Sequence, residues 1–282
     1  MDQAPFVSVI IPAYNGPEAL GRAITSVLQQ TYKNFELIIV DDHSADPVET
    51  AVRSFADGRI VYLRHAENKG AAAARNTGMR QARGVLLAFL DSDDQFLPGR
   101  LEAQVKAFRE LPDDVGLVLS NLGSPDDPKA AYVPRHVPSG YVTDAAFPGS
   151  VFSPPSSWML RKAAADRVGF FDEAISTIED ADYFVRVLEQ ARIYYLKEVL
   201  GIKHLSFERK GYFLPIHFSG NDRFLKKHLA RMQKDPSYLS RFYYLKGKDL
   251  ARSARRREAR VYFLKAFFVK PQIAYLFKYL KG

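Results

Sequence analysis

The chain has 282 residues, 47% of them hydrophobic and 13% aromatic, which suits one large α/β domain with an appendage or two modest domains and argues against disorder. It contains no cysteine, which excludes disulfides, thiolate zinc sites and a cysteine nucleophile and leaves oxygen and imidazole as metal ligands. The net charge of +8 is uneven: residues 221–282 carry 17 Lys and Arg against 4 acids (+13), and residues 1–220 carry 23 against 28 (−5), a split that points to an acidic site in the body and an electrostatic contact made by the tail.

The chain opens on an acid and then an apolar run, without the basic region and cleavage site of a secretory signal. No stretch approaches the roughly 18 apolar residues of a spanning helix, so a cytoplasmic protein is expected, soluble or peripheral on the inner face of a membrane. Apolar runs at 6–11 (FVSVII), 35–40 (FELIIV), 59–63 (RIVYL), 85–90 (VLLAFL) and 115–120 (VGLVLS) are rich in β-formers and lack one-sided alternation, the pattern of strands covered on both faces. Between them, Leu20, Ile24, Val27 and Leu28 share one face of a helix that Pro17 can open, as do Leu101, Val105 and Phe108 after Pro98. Strand–helix alternation predicts right-handed crossovers and a mainly parallel sheet, in which ligands bind beyond the carboxyl ends of the strands.

Residues 123–155 dissolve into Pro, Gly, Ser and Asp, a length of irregular chain that suits a functional loop. A strand at 156–162 (SSWMLRK), a short helix, and a longer helix in 176–190 follow, the last with Glu179 and Asp180 in its first turn and Phe184, Val187 and Leu188 towards the core. RIYYL (192–196) and VLGIKH (199–204) read as two further strands.

Polar groups gather where these strands end: PAYNG after the first, DDHS (41–44) after the second, DSDD (91–94) after the fourth. In an extended DxD the side chains at i and i+2 point the same way, so Asp91 and Asp93 can present oxygens together. Carboxylates so close force one to stay protonated unless a cation holds them ionised, and Mg²⁺ or Mn²⁺, bridging carboxylates to substrate phosphates, suits that task. The competing reading is a solvated turn or helix cap ahead of Pro98. For Glu179 and Asp180 the two readings are stabilisation of a helix N-terminus and a general base for an attacking hydroxyl.

The stretches VSVIIPAYNG, LQQTYKNFELIIVDDHSAD, NKGAAAARNTGMRQARGVLLAFLDSDD and IEDADYFVRVL, in this order and spacing, resemble glycosyltransferase family 2 over residues 6–210. The resemblance implies the GT-A fold, Rossmann-like with a mainly parallel sheet flanked by helices, and an inverting transferase that uses a nucleotide-sugar, UDP-linked in first place, with Mn²⁺ or Mg²⁺. It implies a catalytic domain over 1–218, divided into a donor half (1–121) and an acceptor half (122–218), with a basic helical extension over 219–282. Carried over residue by residue, Pro12, Ala13, Tyr14, Asp41, Asp42 and Arg75 are implied to contact the nucleotide. Asp91, Ser92 and Asp93 form the DxD that meets ribose, metal and diphosphate, with Asp94 in support. Asp180 is the implied base with Glu179 beside it, and Asp93 and His204 are the implied metal ligands. His43 stands where the family has the glycine of a DDGS turn, and Ile202 where relatives often have an arginine. The loop 123–155 and Trp158 are expected to shape the side of the saccharide or lipid-linked acceptor, with a buried core role the alternative for Trp158.

In the tail, Val261, Leu264 and Phe268 lie on a different helical face from Tyr262 and Lys265. Two readings stand: a helix lying on anionic lipid, or a helical hairpin packed on the domain. Nucleic acid is not an expected partner. A nucleotidyltransferase lacks its Gly-rich loop here, a NAD-dependent oxidoreductase lacks GxGxxG, a phosphohydrolase would carry its DxD after the first strand, and a non-catalytic sugar-binding relative has no need of so many acids.

Overall fold

The computed structural model describes residues 6–46, 48–126, 139–142, 154–175, 178–204, 222–273 and 278. The chain forms two compact units, Met1–Lys210 and Gly211–Gly282. The boundary expected at 218 lies outside the described residues, as does most of the 123–155 loop.

In the first unit β1 (Val7–Ala13), β2 (Phe35–Asp41), β3 (Ile60–Arg64) and β4 (Leu86–Phe89) alternate with α1 (Pro17–Leu28), α2 (Val48–Arg53) and α3 (Ala71–Gln81). They are followed by β5 (Gln95–Phe96), α4 (Arg100–Glu110), β6 (Val115–Gly123), β7 (Gly140–Val142), β8 (Trp158–Arg161), α5 (Lys162–Val168), α6 (Glu179–Gln190) and β9 (Arg192–Ile202). The sheet order is β3-β2-β1-β4-β8-β6-β9-β5, with β7 also on β9. β1–β4, β6 and β9 run one way and β5, β7 and β8 the other, so the sheet is mostly parallel.

β1 and β2 are buried at every position, as their uninterrupted apolar runs predict. One face packs Val9, Ile11, Leu37 and Ile39 against Leu20, Ile24 and Val27 of α1 and Leu101, Val105 and Phe108 of α4. α3 lies against β1 and β2. Gly84, leading into β4, permits a close approach: a Cβ there would meet Ser8 N at 2.6 Å and Phe6 O at 2.8 Å, backbone atoms that cannot yield. Gly84→Ala is expected to destabilise the domain by about 1–3 kcal/mol, read as a lower urea midpoint at unchanged m. An unchanged midpoint would show that the chain tolerates a wider approach.

The 121/122 division expected between the donor and acceptor halves falls inside β6, which spans Val115–Gly123. One sequence expectation is corrected. RIYYL and VLGIKH are one strand, β9, whose pairing with β6 shifts register between Leu119 and Asn121; the polar pair Lys197–Glu198 at the gap is exposed.

The second unit contains α7 (Asp222–Met232), α8 (Pro236–Arg252) and α9 (Arg256–Val269). Asp235 caps α8, its carboxylate accepting from Ser237 N and Tyr238 N, with Pro236 at the first position. α8 and α9 pair through Leu250, Ala259 and Phe263. A Cβ on Gly247 would meet the Phe263 ring at 2.7 Å, so the glycine sets how closely the two helices pack. No helix among the described residues is long and apolar enough to cross a membrane.

Candidate active site

The parallel register sets Ala13 beside Asp41 and Ile10 beside Phe89, so β1 and β2 end level, β4 ends three residues earlier, and all three loops leave the same edge of the sheet. The first two brace each other. Asn15 and Gly16 take left-handed conformations, and Pro17 then opens α1. Asn15 N donates to Ser44 Oγ (2.8 Å), Asn15 Oδ1 accepts from Ala45 N (2.9 Å), and Gly16 N donates to Asp46 Oδ2 (3.1 Å). His43 keeps the turn expected of glycine by adopting φ 63°, a left-handed conformation that histidine tolerates better than most side chains.

A cleft of about 430 Å³ opens at these strand ends, lined by Pro12, Ala13, Tyr14, Asp42, Arg75, Asp91, Ser92, Asp93 and Lys203, among others. Tyr14 is 55% exposed at its edge. Asp42 is buried and accepts from Lys69 N (2.9 Å) and Gly70 N (2.6 Å) while engaging His65 Nδ1 (2.7 Å), which fixes the entry to α3.

Asp41 is the first site residue that the structure moves. It is fully buried outside the cleft lining, and its carboxylate accepts from Tyr62 Oη (2.6 Å) and Ser44 N (2.8 Å). At the end of β2 its carboxylate is held by Tyr62 and Arg64 of β3, so it shapes the loop and leaves the cleft to Asp42.

α3 carries Arg75 inward on a run of small residues, Ala72 to Ala74, that lie buried in the domain. The guanidinium is a fork between two elements: Nη2 donates to Asp91 Oδ1 and Nη1 to Glu179 Oε1, each at 2.8 Å. Glu179, in the first turn of α6, is therefore the partner that ties this helix to the DxD loop. Lys203, just past β9, reaches Asp94 Oδ2 at 3.0 Å and Asp91 Oδ2 at 3.4 Å.

Burial raises the Asp91 carboxyl, but Lys203 and Arg75 more than reverse this and bring it to about 2. Arg75 is held protonated by Asp91 and Glu179, and Lys203 by Asp94, Asp91 and Asp93, against the cost of their own burial. Asp94, fully buried, is pushed up to about 6 by burial and by the Asp91 and Asp93 charges, against the pull of Lys203 and Ser156. Its oxygens accept from Ser156 Oγ (2.5 Å) and His204 N (3.0 Å), which ties the loop to the segments before β8 and after β9. The cations that relieve the DSDD repulsion thus come from distant parts of the chain. Sequence reasoning missed Lys203; its one signal was a cation beside His204 at a strand end.

Asp93 differs from its neighbours. It is exposed, lines the cleft, and has no hydrogen-bond or ion-pair partner among the described residues. Among those residues no group of three or more His, Asp or Glu is placed to hold a metal alone. A free carboxylate lining the cleft nevertheless fits Mg²⁺ or Mn²⁺, which keep waters and bind through one or two carboxylates plus substrate phosphates. His204 stands outside the cleft lining with Nε2 on Gln95 Oε1 (2.9 Å), and the cleft takes its neighbour Lys203 instead.

Asp180 follows Glu179 in the first turn of α6. Burial, with the adjacent Glu179 charge, pushes its carboxyl up to about 7, partly offset by Arg75 and the Ala181 N–H, and the Asp91 charge adds to the rise. A carboxyl poised there can take a proton near neutral pH. Trp158 is corrected: it is fully buried, with Tyr183 and Phe184 packed at 6.3 and 6.0 Å between ring centroids, so it belongs to the core and offers no face to a sugar.

Residues 8–169 match the family described as Glycosyl transferase family 2. The chain belongs to this family. Among family relatives, the UDP-Glc:alpha-D-GlcNAc-diphosphoundecaprenol beta-1,3-glucosyltransferase WfgD of Escherichia coli is 46% identical over 99 residues, 35% of this chain and 39% of WfgD. The chain thus spans well under half the length of that relative. The family fold is also that of Staphylococcus aureus TarS 1–349 in complex with UDP-GlcNAc, with TM-score 0.67, 19% identity, and 98% of this chain and 79% of that one covered. The mannosyltransferase PcManGT of Pyrobaculum calidifontis, in complex with GDP-Man and Mn²⁺, superposes with TM-score 0.61 and 20% identity over 100% of this chain and 80% of that one.

Proposed function

We propose that this chain is an inverting, metal-dependent glycosyltransferase that moves a sugar from a nucleotide-sugar, UDP-linked in first place, to a hydroxyl of a saccharide or lipid-linked acceptor. The observation that carries the reading is the Arg75 fork, which joins the DxD loop at Asp91 to the turn of α6 that bears Asp180. WfgD acts, by its name, on a diphosphoundecaprenol-linked sugar with UDP-Glc, and TarS and PcManGT hold nucleotide-sugars, which supports the donor class and the place in cell-surface polysaccharide or glycolipid synthesis.

In this reading Tyr14 offers a ring face to the base, and Pro12, Ala13 and Asp42 line the nucleoside part of the cleft. Asp93 would hold the divalent ion together with the donor diphosphate, and His204, engaged by Gln95, is left out of that set. The ion, when bound, supplies positive charge to the departing diphosphate. Asp180 takes the proton of the acceptor hydroxyl, the oxygen forms its bond to the anomeric carbon, and the bond from that carbon to the diphosphate breaks, the electron pair leaving with the nucleoside diphosphate. Attack opposite the leaving group inverts the anomeric centre.

Lys203 gives this cleft a cation of its own. Lys203→Met is expected to weaken metal-free UDP binding by about tenfold, the scale of one lost charge-assisted contact, in calorimetric titrations in EDTA. Equal affinity would remove Lys203 from the diphosphate site. The reading as a whole is tested by thermal shift against a panel of nucleotide-sugars. At least one donor should raise Tm with Mn²⁺ or Mg²⁺ and do so less in EDTA, by mass action. No shift with any of them would refute it.

A further inference from the structure

The tail helix α9 is apolar on two opposite faces. Ala259, Phe263 and Ala266 are buried, with Phe263 packed against Gly247 and Tyr244 of α8. At about 100° per residue, Arg257, Val261, Leu264 and Phe268 fall within about 60° of one another on the other side. There Phe268 is 78% and Val261 49% exposed, and Ile273 beyond the helix is 75% exposed. Three of the seven large exposed hydrophobics among the described residues therefore lie on or just after one helix. Charges border the stripe. Arg256 and Arg260 flank it on one side and Lys265 on the other, all exposed. Arg256, Arg257 and Arg260 have no acidic partner among the described residues, since Glu258 is taken by Arg255.

We infer that this stripe is a docking surface for an anionic lipid bilayer, on which Val261, Leu264 and Phe268 enter the headgroup boundary while the flanking cations meet lipid phosphates. Packing on α8 uses one face of α9 and leaves this stripe exposed. Charge decides for lipid over a second copy of this chain: with 17 basic and 4 acidic residues in 221–282, two such surfaces would repel, and an anionic headgroup layer complements both the cations and the apolar stripe. The inference does not depend on the transferase reading, because its readout is sedimentation and not turnover.

The test uses the full chain with vesicles of phosphatidylcholine alone or with about one third phosphatidylglycerol. Binding should appear only with the anionic lipid and fall as salt rises, since the attraction is screened within a Debye length. Phe268→Ser with Val261→Ser should weaken it by about tenfold or more, the scale of one lost apolar anchor, and Arg257→Gln with Arg260→Gln should weaken it and flatten the salt dependence. Circular dichroism and Tm should stay unchanged in both variants, because these side chains leave the packed face alone. Equal binding to neutral vesicles, no binding, or concentration-dependent self-association abolished by Phe268→Ser would each overturn the inference.

Discussion

Asp180→Asn should reduce kcat/KM for sugar transfer by roughly 10²–10⁴-fold, the range for loss of a positioned general base. In the parent enzyme kcat/KM should rise with pH through about 7, where the carboxyl of Asp180 loses its proton, and level off above it. The variant's residual rate should lack that limb. The same group carries a stability signature of known sign. Its carboxyl is raised in the folded state and ordinary in the unfolded one, so its favourable contribution is whole below about 4 and is lost as pH climbs through about 7. An amide never ionises. Asp180→Asn should therefore melt a few degrees above the parent at about pH 8 and level with it at about pH 4. A variant that kept full transfer, or that lost transfer with the pH limb intact, would remove Asp180 from the base role.

Arg75→Met is the second large effect. Arg75 is buried between Asp91 and Glu179, and its removal leaves two carboxylates facing each other without their cation. Breaking a buried pair this way costs on the order of 3–5 kcal/mol, which for a domain of this size corresponds to a fall of about 10 °C in Tm. Arg75→Lys should fall between, because a single ammonium cannot span both partners as the planar fork does. Adding Asp91→Asn to Arg75→Met should recover part of the loss, as expected for residues in direct contact. Calorimetry at about pH 7 reads all four proteins. A change of less than about 1 °C in Arg75→Met would show that the fork is not a structural tie.

How much of this was legible in the sequence differs by element. Strands buried on both faces announce themselves as unbroken apolar runs, which is why β1, β2, β4 and the core of β6 fall where the pattern puts them. β5 and β7, at 2 and 3 residues, are too short to carry a period and exist through pairing with β9. The acids of the cleft were visible as a cluster at strand ends; their counter-charges were not. Arg75 and Asp91 are 16 residues apart and Lys203 and Asp91 112, and no local pattern records which distant cation meets a carboxylate. Asp41 and Asp42, adjacent in sequence, divide between fold and cleft because successive side chains at a strand end point opposite ways. The tail shows the same limit. A helical wheel finds two apolar stripes on α9, and only packing reveals which one α8 has used.

In the proposed reaction a deprotonated acceptor hydroxyl meets the anomeric carbon on the side away from the diphosphate. Proton NMR of the first product formed from an α-linked donor, recorded before anomers equilibrate, tests this most directly. A β-linked product is the predicted result, and an α-linked product would contradict it.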